Sequence, residues 1–245
     1  MDTVRLSIIT VTYNSEQHLR TTIESVLSQI DYLYEYWIID GGSTDSTLFI
    51  IKSYLSAFQG KLHFISEKDK GIYDAMNKGI CLSTGNVIGI INSDDYYNAG
   101  AFETVVSQFS NDSIGLLYSD VNRIDLNGNI TKVIEGNEAD LKYGMSFNHP
   151  TCFISKETYD NIGLFDLQFK IAADYDLALR IVDKGIKRKK SDIILASYRE
   201  GGISSWNPRG RKESYIIQRN FFCLFWALYL YVKNKIHYMI YKVNF

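Results

Sequence analysis

The segment Val87-Ile88-Gly89-Ile90-Ile91 runs straight into Asn92-Ser93-Asp94-Asp95-Tyr96. Five near-continuous apolar residues, without alternation, read as a strand buried on both faces, and such strands belong to parallel α/β sheets. In those sheets ligands sit beyond the carboxyl ends of the strands. Two adjacent carboxylates at such an end repel each other and cost desolvation unless a cation is shared with a ligand. Hard oxygen ligands on a short loop suit Mg²⁺ or Mn²⁺ bridging to phosphates. A metal-bound nucleotide is therefore the first expectation.

The rest of the first half repeats the strand pattern. Leu6–Val11 is apolar and β-branched and reads as a first strand. Asn14, with Gln17 three residues later, is expected to cap a helix whose face carries Leu19, Ile23, Val26 and Leu27. Tyr36–Ile39 reads as a second strand ending at Asp40, and Gly41-Gly42-Ser43-Thr44-Asp45 turns the chain into another helix. A short third strand is expected at Leu62–Ile65. A helix with Ile72, Ala75, Met76, Gly79 and Ile80 on its apolar stripe then leads to Gly85. Alternating strands and helices predict a doubly wound, mostly parallel α/β sheet. Right-handed crossovers put Asp40 and Asp94 at one crevice.

The second half is less regular. Asn127-Gly128 reads as a hairpin turn between Val121–Ile124 and Ile130–Val133. Further strands are expected within Phe147–Ile154 and Ile193–Tyr198, and a helix over Asp174–Lys184. Lys187–Lys190 reads as a solvated turn, with a lipid-phosphate contact as the alternative. This half is expected to cover the open side of the crevice and to supply an acceptor site.

Composition narrows the function classes. A formal net charge of -2 over 245 residues argues against a general nucleic-acid binder. Cys81, Cys152 and Cys223 are far apart and form no CxxC pair, which fits reduced cytosolic thiols better than a zinc site or a disulfide framework. The N-terminus lacks a basic region followed by a long apolar one, so no signal peptide is expected. No GxGxxG follows the first strand and no P-loop is present, so dinucleotide and P-loop readings lose their main support. Thr12-Tyr13-Asn14 stands there instead. Tyr13 can stack on a nucleobase and Asp40 can accept from a base N–H; a turn aspartate beside Gly41-Gly42 is the alternative role for Asp40.

Four blocks in order carry a resemblance. They are Ile8–Asn14, Ile39–Asp45, Gly71–Gly79 and Asn92–Asp95. Together they resemble the opening of family 2 glycosyltransferases, most closely the bacterial members that build O-antigen and capsular polysaccharide. The resemblance implies a GT-A fold, a nucleotide-sugar donor, usually UDP-linked, a divalent metal (Mn²⁺ or Mg²⁺), and inversion at the anomeric carbon. By the same match Thr12, Tyr13 and Asn14 line the nucleoside site and Asp40 binds the base. Asp69 and the Gly71 turn lie near base and ribose. Asp94 is the metal ligand, Asp95 an auxiliary carboxylate, and Asn92 and Ser93 flank them on the donor. The motif opens with Asn92 where relatives carry Asp, which removes one charge from the site.

Ala172-Ala173-Asp174-Tyr175-Asp176 resembles the family's acidic motif at the start of a helix. It makes Asp174 the expected base toward the acceptor hydroxyl, with a helix-cap acid as the bland alternative and Asp176 as a weaker candidate. His149 matches a histidine of related sequences and is expected in the acceptor pocket or as a structural histidine. Gly201–Trp206 reads as a closing segment. Trp206 stands there without the QxxRW motif of processive members, which favours addition of a single sugar.

The layout expected is a GT-A domain over 1–210, split into a donor half (1–98) and an acceptor half (99–210), with a tail over 211–245. Phe221–Val232 is uncharged, aromatic and too short to span a bilayer, which needs about 20 apolar residues. Arg211, Lys212, Arg219, Lys233, Lys235 and Lys242 flank it, as suits an anionic membrane surface. Packing on the domain or on a second subunit as a homodimer is the alternative. The combined expectation is transfer of one sugar to a lipid-linked glycan, by a cytoplasmic enzyme peripheral to the inner membrane. A nucleotidyltransferase and a non-catalytic scaffold are the rival classes.

Overall fold

The structure is a computed structural model that describes residues 3–201, 208–223, 226 and 228–233. Four parallel strands form its centre: β1 (Leu6–Thr12), β2 (Leu33–Asp40), β3 (Leu62–Ser66) and β4 (Val87–Asn92). Helices α1 (Leu19–Leu27), α2 (Thr47–Tyr54) and α3 (Ile72–Leu82) connect them in turn. A two-residue strand β5 (Tyr96–Tyr97), α4 (Ala101–Asn111), β6 (Leu116–Tyr118) and the hairpin β7 (Val121–Ile124) and β8 (Ile130–Ile134) follow. The chain closes with β9 (Phe153–Ser155), α5 (Lys156–Ile162), α6 (Ala173–Asp183), β10 (Arg188–Lys190), β11 (Ala196–Arg199) and α7 (Pro208–Phe221). The main sheet has the order β10-β6-β9-β4-β1-β2-β3, with only β9 antiparallel to its neighbours. A second sheet, β5-β11-β7-β8, stands beyond the end of β4.

Burial on both faces follows from side-chain alternation. Ile9 and Val11 of β1, with Ile88 and Ile90 of β4, pack on Tyr73, Met76 and Ile80 of α3 and on α6. Leu6 and Ile8, with Val87 and Ile91, pack on Leu19, Ile23 and Val26 of α1 and Phe102 and Val105 of α4. Each helix shows the i, i+3, i+4 spacing that a buried stripe demands.

Several expectations are corrected. Asn14 does not cap α1, which starts only at Leu19. Its backbone is left-handed (φ 49°), and its side-chain oxygen accepts from Thr44 N at 2.9 Å across the neighbouring loop. Phe147–Ile154 is not one strand. Pro150 has no N–H for a ladder, Asn148 is left-handed, and residues 149–151 form a 3₁₀ turn before β9 begins at Phe153. Lys187–Lys190 is not a turn, because Arg188–Lys190 is edge strand β10, pairing with β6. Its cations are matched to Glu138, Asp112 and Asp120 at 2.6–2.7 Å, and charged side chains are a common guard on sheet edges. The Asn127-Gly128 hairpin stands as expected.

Gly79 sets how close α3 lies to the sheet, since a Cβ there would sit 2.5 Å from Ile9 Cγ2. Ala would gain about 1 kcal/mol of helix propensity. Ile9 is fully buried on a central strand and cannot yield; overpacking costs about 1–3 kcal/mol. Gly79→Ala is therefore expected to lower stability by about 1 kcal/mol net in urea denaturation. A stabilised variant would show that α3 moves freely over β1.

Candidate active site

The parallel register brings the strand ends to one edge. Thr12 lies beside Asp40, Asp40 beside Ser66, and Val11 beside Asn92. Asp40 and the Asn92–Asp95 loop thus leave the two strands that flank β1.

On the β2 side, Asp40 is fully buried. Its Oδ2 accepts from Gly42 N (3.1 Å), Ser43 N (3.0 Å) and Ser66 Oγ (2.5 Å), and its Oδ1 from Ser43 Oγ. Three donors crowd Oδ2, whereas Oδ1 carries one and keeps a lone-pair site open. Gly41 leaves room for two neighbours, a half-buried Asp69 and an exposed Tyr13: a Cβ there would meet Asp69 Oδ2 at 3.2 Å and Tyr13 Cδ2 at 3.4 Å. Tyr13 is 62% exposed, as a ring awaiting a stacking partner would be. Asp69 is held by Lys78 Nζ at 2.6 Å, and Lys78 also reaches Glu67 at 2.7 Å. Those two bonds, Asp69 first, push the Lys78 pKa up. Gly71, with φ 126°, opens α3 beside this group.

On the β4 side the two aspartates differ. Asp94 is half-buried, and its carboxylate has no hydrogen-bond partner among the described residues. Asp95 is buried, accepting from Arg199 N of β11 at 2.9 Å and Asn92 Nδ2 at 3.3 Å. Burial, and then the charge of Asp94, raise the Asp95 pKa to about 8. Thr22 Oγ1 of α1 donates to the Asp95 carbonyl at 2.6 Å, and Ser93 Oγ to Ser15 Oγ at 2.7 Å, which fixes the loop. Asn92 Oδ1 and Thr12 Oγ1 are buried without a partner. Asp94 and the unpaired Asn92 oxygen are hard donors that fit Mg²⁺ or Mn²⁺ together with phosphate oxygens. No cluster of three His, Cys, Asp or Glu occurs among the described residues.

The start of α6 is tied to α3 through Tyr73. Asp174 is the second residue of α6, and no side chain caps that helix. Its Oδ1 accepts from Tyr175 N at 2.9 Å and lies 3.0 Å from Tyr73 Oη, which is also 2.8 Å from Ile171 O. Tyr73 thus links the donor half to Asp174. His149 stands close enough for Asp174 to act on it: burial lowers its pKa and the Asp174 charge opposes this. Its Nε2 is buried without a partner. Asp176 is elsewhere engaged, in an ion pair with Arg180 at 2.8 Å that adjoins the carbonyls of Ile162 and Leu164. Trp206 lies outside the described residues. Tyr73 and Arg199 are site residues that motif reading missed. Tyr73 lay inside the Gly71–Gly79 block without an assigned role, and Arg199 carried no signal because it acts through its backbone.

Comparison with known proteins gives the family and the fold. The family model "Glycosyl transferase family 2" matches residues 7–163. A PGL/p-HBAD biosynthesis glycosyltransferase of Mycobacterium tuberculosis is 28% identical over 203 residues, covering 81% of this chain and 78% of that protein. The chondroitin synthase of Escherichia coli is 32% identical over 186 residues, 74% of this chain and 27% of that enzyme. S. aureus TarS 1-349, solved in complex with UDP-GlcNAc, superposes with a TM-score of 0.71 at 20% identity, covering 89% of this chain and 65% of that one. The mannosyltransferase PcManGT of Pyrobaculum calidifontis, solved with GDP-Man and Mn²⁺, gives 0.64 at 17% identity, covering 97% and 65%. The chain therefore spans just under two thirds of these solved structures. Sheet order, strand-end crevice and acidic loop define a GT-A glycosyltransferase. The chain belongs to glycosyl transferase family 2.

Thr12→Val removes a hydroxyl that is buried without a partner. It is expected to leave stability unchanged or to raise it by about 1 kcal/mol, by chemical denaturation. A loss of that size would mean the hydroxyl is already bonded within the protein.

Proposed function

We propose that this protein is an inverting glycosyltransferase that moves one sugar from a UDP-sugar to a lipid-linked saccharide during surface-polysaccharide synthesis. The observation that carries the chemistry is Asp174: one carboxylate oxygen is fixed by Tyr175 N and Tyr73 Oη, and the other is left to take a proton. In this reading Asp174 accepts the acceptor hydroxyl's proton as that oxygen attacks the anomeric carbon in line. Tyr13 and Asp69, on either side of Gly41, contact the nucleoside, and Asp40 shapes their loop. Asp94 and Asn92 hold the cation, with Asp95 keeping Asn92 in place. When bound, a divalent ion there supplies charge stabilisation to the departing diphosphate. His149 lines the acceptor side near Asp174. The UDP assignment draws on the TarS complex and the cation on the PcManGT complex.

The lipid-linked acceptor draws on the tail and on the mycobacterial relative named for PGL biosynthesis. Helix α7 buries Glu213, Ile217 and Gln218 against the domain, while Lys212 and Arg219 are exposed. Beyond it Leu228, Tyr229 and Val232 are exposed beside Lys233. No helix among the described residues is long and apolar enough to cross a membrane. The attachment we propose is peripheral, at the cytoplasmic face of the inner membrane.

Thermal shift with UDP, GDP, dTDP and CMP, each with and without Mn²⁺, tests the donor site. UDP is expected to raise the melting temperature most, and only with Mn²⁺. Asp94→Ala should lose that shift, whereas Asp174→Asn should keep it and lose about 10²–10⁴-fold in turnover. A UDP shift untouched by Asp94→Ala would refute the metal assignment. For the tail, a folded chain ending at Phe221 should leave the membrane fraction in flotation; unchanged partition would refute the anchor.

A further inference from the structure

Helix α7 lies beyond the segment matched by the family model, yet it reaches back to the residues that lead into Asp174. Its Glu213 is 6% exposed. The carboxylate accepts from Lys170 N (2.9 Å), Ile171 N (2.8 Å) and Ala172 N (3.1 Å), and Arg209 Nε donates to it at 2.8 Å. Three consecutive backbone N–H groups thus converge on one side chain from another helix. They precede an α6 N-terminus whose own cap residue, Ala172, has no side-chain acceptor. On the opposite side of the same turn, Ile171 O is met by Tyr73 Oη. One turn of chain is therefore held through its donors by α7, and on α3 the single Tyr73 hydroxyl proton is shared between its acceptor Ile171 O and Asp174 Oδ1. Asp174 follows two residues later.

We infer that Glu213 is a positioning residue, which sets where the Asp174 carboxylate stands by clamping residues 170–172. The inference rests on the proposed role of Asp174. Burial alone would push the Glu213 carboxyl up; the backbone donors and Arg209 outweigh it and hold it below its ordinary value, so it stays an anion at neutral pH. An anion with four donors is a stiff clamp. The backbone from Ala172 to Asp174 enters the helix directly, so a released turn would carry the carboxylate with it. A misplacement of about 1 Å at a reacting group costs on the order of 10²-fold in rate.

The test reads the position of Asp174 without needing the sugar substrate. The Asp174 charge raises the His149 pKa, so the His149 imidazole, followed by NMR in the full chain, is the probe. Its signal is identified by its loss in His149→Gln. Asp174→Asn should lower the His149 pKa. Glu213→Gln should lower it by part of that shift, with UDP and Mn²⁺ affinity within about twofold of the unaltered protein. A His149 titration in Glu213→Gln that coincides with the unaltered protein overturns the inference, and so does one that stays fixed in Asp174→Asn. If Glu213→Gln does not fold, Gly210→Ala replaces it. Its added methyl would stand 2.9 Å from Ile171 Cγ2 and displace the same turn without removing a polar group; an unmoved His149 overturns the inference there too. Release of UDP from the UDP-sugar that the protein consumes fastest separates the two readings. Asp174→Asn with full turnover removes the base role and leaves the clamp. Asp174→Asn inactive beside a fully active Glu213→Gln removes the positioning role alone.

Discussion

Because β1 pairs in parallel with β2 on one edge and with β4 on the other, the chain must leave three neighbouring strands at the same end of the sheet. Parallel pairing demands a crossover for each step, and α1, α2 and α3 are those crossovers. The loops after Thr12, Asp40 and Asn92 are then compelled to share one opening. Everything chemical is assembled there from residues far apart in sequence, and the hydrophobic packing on both faces of β1 and β4 keeps the register from slipping.

The carboxylates around that opening divide by how their oxygens are used. Asp40 is tied to its own loop and to Ser66, so it stiffens the wall behind Tyr13. Asp95 is enclosed beside Asp94, at a cost in desolvation that the Arg199 N–H and the Asn92 amide offset only in part. Asp94 keeps both oxygens clear of described partners. A free acidic group beside a buried one is relieved either by a proton on the buried acid, as the raised Asp95 pKa allows, or by positive charge nearby; a cation at the β4 end would act in the second way. The unpaired oxygens of Thr12 and Asn92 point the same way, since buried polar groups in native proteins otherwise find partners.

The buried strands and their amphipathic helices were legible from periodicity, because burial on two faces or on one helical stripe leaves a local imprint in the residue order. Asp94 and Asp174 stood out because acids at element ends are visible without knowing the fold. Tyr73, Arg199 and Glu213 were not visible. Tyr73 looks like an ordinary apolar helix residue, Arg199 works through its backbone, and Glu213 sits in a polar helix where one more acid carries no signal. Their importance arises from contacts 101, 104 and 41–43 residues away in the chain. The failed expectations have local causes too. Arg188–Lys190 is hydrophilic enough to pass for a turn because an edge strand tolerates charge, and Asn14 resembles a cap because its left-handed backbone serves the neighbouring loop instead.

The clamp between α7 and the start of α6 also bears on how such enzymes can be recombined. The family model ends at residue 163, and the strand ends that carry Thr12, Asp40 and Asn92 all lie before that point. Exchanging acceptor specificity between relatives by joining two chains would therefore invite a cut somewhere after α5. A junction between α6 and α7 would pair the turn at residues 170–172 with a foreign last helix and leave three N–H groups, that of Ala172 buried, without their acceptor. A junction between α5 and α6 moves both ends of that contact together, so the unit of exchange is set by one glutamate's hydrogen bonds and not by the end of the family match.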